Sequence, residues 1–234
     1  MATNVRSQLT PTIAAVGGGR DLYSLPDGSA VFEKGPQAWI NGGKGYHITV
    51  GAFSTPIVGG GNGTIIDLDQ PEVVISVPSG GAIRPIRIKV QCNTPLLATD
   101  ADESEILIAV DRTAAWAGDG TFTTETPTGM RTDVTSGSIT SCGSAFTTDM
   151  TATTGADPVL GIELDRSLIT GDVQGTPATA VWTKNELLYE PVYSPLIVGP
   201  AAIYIYWGGT VATSGFAQCQ WIEYSSDYSS YFGG

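Results

Sequence analysis

Asp100, Asp102, Glu103 and Glu105 place four carboxylates in six positions, the densest group in this chain with a chemistry of its own. Clustered carboxylate oxygens are ligands that Ca²⁺ accepts, so the stretch from Asp100 to Glu105 is a candidate Ca²⁺ site at a subunit boundary. It lacks the glycine and the closing glutamate of an EF-hand loop. Asp67 and Asp69 could add oxygens if folding brought them near. The competing reading is a solvated acidic turn between two strands, the ordinary fate of a charge run. His47 is the one histidine, in an alternating segment, and a Ser-His-acid triad would have to use it. No GxSxG elbow accompanies it. A zinc site with several histidine ligands is excluded. Neither a Walker A sequence nor a GxGxxG between strand and helix occurs, so the glycine runs have no helix to help them hold phosphate. No spacing singles out a carboxylate pair for glycoside hydrolysis. Cys92, Cys142 and Cys219 are odd in number, far apart and without a CxxC pair. Buried free thiols in a reducing compartment are expected, with one unassigned disulfide as the alternative. These residues point away from an enzyme.

The net charge is −12, from 11 Lys and Arg against 23 Asp and Glu, and that field repels phosphate backbones. No direct nucleic-acid binding is expected. Arg84, Arg87 and Lys89 are the single local basic cluster, at near-alternate positions, as a strand with one solvated face would place them. Charged residues make up 15% of the chain, well below the ~25% usual for a soluble domain. Thr, Ser, Gly and Asn must cover the surface instead, a composition suited to β-domains packed against neighbours. The first eight residues, MATNVRSQ, hold no apolar core of a signal peptide. The longest apolar run, Pro195 to Trp207, is broken by Gly199-Pro200 and falls short of the ~18 residues that span a bilayer. Synthesis in a cytoplasm, without export by the general route and without a membrane span, is the expectation.

Whatever these residues do, strands must position them. Helical periodicity is nearly absent, and the chain is a series of short β-rich runs punctuated by Gly, Pro, Asn and Asp. The first ~45 residues are loop-rich, with short strands expected at Ala30–Glu33 and Ala38–Ile40. From Tyr46, apolar Tyr46, Ile48 and Val50 alternate with His47 and Thr49. Glu72–Val77 is β-branched. Ile86, Ile88 and Val90 alternate with Arg87, Lys89 and Gln91, and Glu105–Asp111 is a buried run. Between Ala114 and Asp157 the apolar residues are isolated, which suggests short strands, long loops and a surface insertion. Val159–Ile169 fits a strand or one short helix, because Asp157-Pro158 suits a helix start. Ala178–Tyr189 looks extended. Ala201–Trp207 is apolar or aromatic on both faces, so it must be covered on both sides. Gly208-Gly209 suits a hairpin into the run Val211–Tyr224, where Phe216, Cys219, Trp221 and Ile222 are inward candidates.

Two segments carry a family resemblance: Glu72–Cys92, containing VVISVPSGGAIRPIRIKVQC, and Ser194–Tyr224, SPLIVGPAAIYIYWGGTVATSGFAQCQWIEY. Their strand pattern resembles that of viral jelly-roll capsid proteins, above all the small phage-type ones. The resemblance covers about a third of the chain and rests on pattern, without an invariant motif. It implies two four-stranded antiparallel sheets packed face to face, and a virion structural protein that assembles with copies of itself and with other virion proteins. The basic N-terminal arm of many such proteins is missing here. The expectation is therefore an all-β chain, an antiparallel β-sandwich of jelly-roll type, with residues 1–234 as one domain. It begins with the loop-rich segment of about 45 residues and ends in a Tyr-rich tail, 225–234. In that tail Tyr228, Tyr231 and Phe232 are poor choices for water and good anchors for a neighbour's groove. The expected role is a major capsid subunit. The alternative is a β-sandwich binding module, for glycans or as a spike or decoration component.

Overall fold

Val73–Val77, Ile106–Val110 and Ala201–Trp207 carry β-branched and aromatic side chains that must leave water, and they do so in neighbouring strands of one sheet. The computed structural model describes residues 35–59, 66–96, 103–133, 137–170, 181–209 and 213–224. The expected strand at 30–33, Asp100, Asp102 and the tail anchors Tyr228, Tyr231 and Phe232 lie outside them. In chain order the elements are α1 (Gly35–Asn41), β1 (Gly45–Val50), β2 (Ile57–Val58), β3 (Val73–Val77), β4 (Ala82–Leu96), β5 (Glu103–Asp111) and β6 (Thr123–Glu125). Then come β7 (Thr128–Gly129), β8 (Ser141–Ser144), β9 (Ile162–Thr170), β10 (Val181–Tyr189), β11 (Ile197–Val198), β12 (Ala201–Gly209) and β13 (Ser214–Tyr224).

Two antiparallel sheets result. One has the order β10-β4-β13-β1-β7, and the other β6-β8-β3-β12-β5-β9. Eight strands carry the architecture: β1, β3, β4, β5, β9, β10, β12 and β13. Taken in that order, the first pairs with the eighth, the second with the seventh, the third with the sixth and the fourth with the fifth. The eighth also pairs with the third, and the seventh with the fourth. A long folded ribbon of four pairs, wrapped so that each sheet receives two of them, is a jelly roll. The expected antiparallel sandwich is the observed one, but its sheets have seven and six strands instead of four each, because β2, β7 and β11 join the first and β6 and β8 the second.

The core between the sheets is built from Ile48 and Val50 of β1, Val73 and Ile75 of β3, Ile88 and Val90 of β4, Ile106, Ile108 and Val110 of β5, and Ile203, Ile205 and Trp207 of β12, with Cys219 and Trp221 of β13. A second core lies on the far side of β3, β5 and β12. There Val74, Leu107, Ala109, Ala202, Tyr204 and Tyr206 meet Trp116, Phe146 and Met150. The double-sided apolar pattern of β12 is thus satisfied twice. The stretch from Ala114 to Asp157 does hold short strands and long loops, but it is no surface insertion. It roofs this sheet. Trp116, Phe122 and Phe146 pack together with ring centroids 4.5 to 5.3 Å apart. Gly143 beneath them is required: a Cβ there would lie 2.9 Å from Trp116 and 3.1 Å from Phe122 and Phe146.

Several expectations are corrected. Ala38–Ile40 belongs to helix α1, whose Trp39 packs edge-on against Tyr224 at 4.8 Å. Of the two readings offered for Val159–Ile169, the strand is the observed one, over Ile162–Thr170, where β9 pairs along β5. β12 and β13 do not form a hairpin. Each pairs with other strands, in opposite sheets, because the wrapped ribbon sends successive strands across the sandwich. Ile86 leaves the main core. The ladder between β4 and β13 skips a residue, pairing Gln220 with Arg87 but Trp221 with Pro85. The extra residue of a bulge changes which side chains face inward. Ile86 therefore packs with Ala82, Leu196, Val198, Ile222 and Tyr224 on the outer face. Ile222 lies there too, and Phe216 is half-buried on the outer face, because Ala217, Cys219 and Trp221 hold the inward positions of β13.

The two flanks of the sandwich differ. At one flank the sheets end in β7 and β6, two and three residues long. At the other they end in β9 and β10, nine residues each, paired on one side only among the described residues. Asn185 of β10 ties these two edges together: its amide donates to Ser104 O at 3.1 Å and accepts from Ser167 Oγ at 2.7 Å.

Candidate interaction surface

The outer face of the β1–β4–β13 sheet is a large surface with no roof among the described residues. Its rows follow from alternation: His47 and Thr49 on β1, Arg87, Lys89, Gln91 and Asn93 on β4, Phe216, Gln218 and Gln220 on β13. The basic cluster seen in the sequence does line one strand face. It divides in two. Lys89 pairs with Glu186 at 3.2 Å, and Lys184 pairs with the same carboxylate. Those two bonds, Lys184 first, hold the Glu186 carboxyl below its ordinary range. Arg84 and Arg87 form no ion pair among the described residues, and their Nε atoms are shielded from solvent without a hydrogen-bond partner. The Arg84 guanidinium stands 5.9 Å from the centre of the Tyr224 ring, a cation–π contact.

Beside them runs an open groove of about 750 Å³, lined by Arg84, Ile86, Arg87, Gln220 and the loop from Glu190 to Ser194. Ser194 pins this loop to β4 by donating to the Pro85 carbonyl. Val192 and Tyr193, at its tip, are 89% and 92% exposed. A second groove of about 380 Å³ opens at the other end of the same face, lined by Phe53, Gln91, Lys184 and Phe216 among others, with Phe53 86% exposed. Large apolar side chains held this far out of the fold are the usual material of contact sites.

Composition did not point to Val192 and Tyr193. The signal was local: Glu190-Pro191-Val192-Tyr193-Ser194-Pro195 sets two large apolar residues between prolines, which keeps them in a loop and out of a ladder.

The other sequence candidates are placed as follows. Glu103 opens β5. Glu105 is 3% exposed and bound by the Arg166 guanidinium, which also holds Glu163 at 2.7 Å, so a cation at Glu105 would compete with Arg166. Among the described residues no three His, Cys, Asp or Glu side chains are grouped to hold a metal ion. Cys92, Cys142 and Cys219 are free and buried. Burial pushes the Cys142 thiol up to about 12 and the other two higher still, so none is a ready nucleophile. His47 sits on β1 between Gln220 and Thr128 of the adjoining strands. No helix of the described residues is long and apolar enough to cross a membrane.

Two buried carboxylates shape the ends of the sandwich. Glu223 accepts from Ile139 N at 2.9 Å, Trp221 Nε1 at 3.0 Å, Thr140 Oγ1 at 3.3 Å and the Ser138 hydroxyl, which closes one end of the core. Asp111 accepts from Thr113 N at 2.7 Å, Thr113 Oγ1 at 2.6 Å, Ala114 N at 3.2 Å and Val159 N at 2.9 Å, which starts the roof segment. Burial alone would raise the Asp111 carboxyl, but these bonds outweigh it and hold the group below its usual range.

No known protein family, curated protein or solved structure matches the chain.

Proposed function

We propose that this chain is a virion structural protein, the repeating capsid subunit of a symmetric shell, made in the host cytoplasm and carried in the virion. The observation that carries the proposal is the wrapped pairing of first with eighth, second with seventh, third with sixth and fourth with fifth strand, a frame that viral shells share with lectins and cupins. Fold alone does not decide function. Three further facts favour the structural role. The thiols are buried and deprotonate only at high pH. The surface is poor in charge, as the centres of interfaces are. Among the described residues two nine-residue strands pair on one side only, and Val192, Tyr193 and Phe53 are exposed apolar loop residues. The chain acts by contact and has no catalytic role or cofactor. It relies on no direct grip on nucleic acid. Copies of one chain can repeat such contacts in a closed shell.

Light scattering of the purified protein over a wide concentration range, followed by electron microscopy, tests this. Closed particles of uniform size are expected. A protein that stays monomeric at high concentration rejects it. A second reading, a binding module of a spike or decoration protein, is favoured by the groove beside Arg84 and Arg87; such a module would remain small and retain an immobilised ligand.

A further inference from the structure

The same chain encodes a segment whose chemistry suits the groove beside Arg84 and Arg87. Ten residues, SSDYSSYFGG, follow Tyr224 in the sequence. Tyr224 is the last residue of β13, paired with Ala82 and beside Arg84, so the last described residue stands at the groove's own end of β4. Asp227 stands three residues past Tyr224, a reach of ~10 Å and enough to meet the Arg84 side chain, while the whole ten-residue segment, ~33 Å extended, covers the ~17 Å from Ala82 to Arg87. The chemistries also match. The groove offers two guanidiniums without an acidic partner among the described residues, although Glu190 also lines it, and an apolar wall of Ile86, Val192 and Tyr193. The segment offers one carboxylate, Asp227, followed at once by Tyr228 and then by Tyr231 and Phe232, with Ser and Gly between. An acid beside aromatic anchors is what two arginines beside an apolar wall select.

We infer that residues 225–234 dock in this groove, with Asp227 against Arg84 and the aromatic residues toward Arg87 and against Ile86, Val192 and Tyr193. A lone subunit docks its own segment, since the tether makes that the most concentrated ligand in solution. A neighbour's segment can take the same place in an assembly, by exchange of an identical element. The inference rests on the assembly proposal only for that exchange.

Cysteine trapping in the full chain tests it. Glu190→Cys is combined with Ser230→Cys, and the comparison protein combines Phe53→Cys with Ser230→Cys. Glu190 lines the groove, Glu190 and Phe53 are both exposed, and neither Glu190 nor Ser230 is one of the docking contacts, so the anchors stay in place; the three native thiols are buried and do not compete. Under mild oxidation the first pair should form its disulfide about tenfold faster than the second, because docking raises the local concentration. Adding Arg84→Gln and Arg87→Gln, or Asp227→Asn, should remove most of that advantage. Equal rates for the two pairs, or a rate indifferent to these changes, overturn the inference. A non-reducing gel separates a link within one chain from a link between chains. Light scattering on the unmodified protein reports assembly independently, so loss of one conclusion does not carry the other with it.

Discussion

The two sheets of this sandwich solve the same problem differently on their outer faces. The β3–β5–β12 sheet buries both of its faces, with Trp116, Phe146 and Met150 over Tyr204 and Tyr206. The β1–β4–β13 sheet buries its inner face and leaves its outer one half-buried to exposed, with Trp39, Leu196 and Val198 the apolar cover near Tyr224 among the described residues. The difference teaches that a loop of low apparent content can be core. Between Ala114 and Asp157 a few aromatic residues supply a complete apolar surface, because each lands on the same sheet.

The strongest way to break this contrast is Trp116→Ala. If the roof is true core, the change costs about 3–5 kcal/mol, comparable to the ~2–5 kcal/mol expected of Ile205→Ala in the inner core. Denaturant melts measure both. An effect near zero for Trp116→Ala would return the segment to the status of a surface insertion.

That segment also marks where sequence reasoning stopped. Both faces of β12 could be interpreted because Ile203, Ile205 and Trp207 alternate with Tyr204 and Tyr206, so a cover on each side was required. What supplied the outer cover could not be read, since Trp116, Phe122 and Phe146 follow no period and meet only through loops. The phase of β4 was read correctly for Ile88 and Val90 and wrongly for Ile86. A bulge is a property of two paired strands, and one strand's sequence does not reveal it. The groove was missed for a similar reason: Arg84 and Arg87 were visible as a solvated strand face, but Val192 and Tyr193 reach them only through the fold.

Glu223→Gln sharpens the contrast at its next level. Four donors converge on the carboxylate, and the amide would present one of them with a donor of its own. A loss of about 1–3 kcal/mol is expected, measured by chemical denaturation.

Asp111 makes the roof sensitive to acid. Its folded pKa lies below the unfolded value of ~3.9, so its contribution is fully present above the unfolded value and is lost as pH falls through the folded one. Asp111→Asn should therefore be less stable than the parent at pH 7, and the gap should narrow in melts at about pH 3. A gap that stays constant would remove ionisation from the account. The smallest effect belongs to the open face: Gln218→Ala, exposed on β13, should change stability by no more than about 0.5 kcal/mol in the same melts.

The unequal flanks of the sandwich set a valence. Growth of a fibre by strand addition needs two adhesive edges per molecule, one to receive and one to offer. Among the described residues β9 and β10 lie on one flank, and the other ends in strands of two and three residues. If copies joined edge to edge they would spend their long edges in doing so and present only short ones outward, so strand addition of that kind would stop at a pair related by a two-fold axis. Under the assembly proposed above, larger order would then rest on side-chain contacts, whose geometry can close.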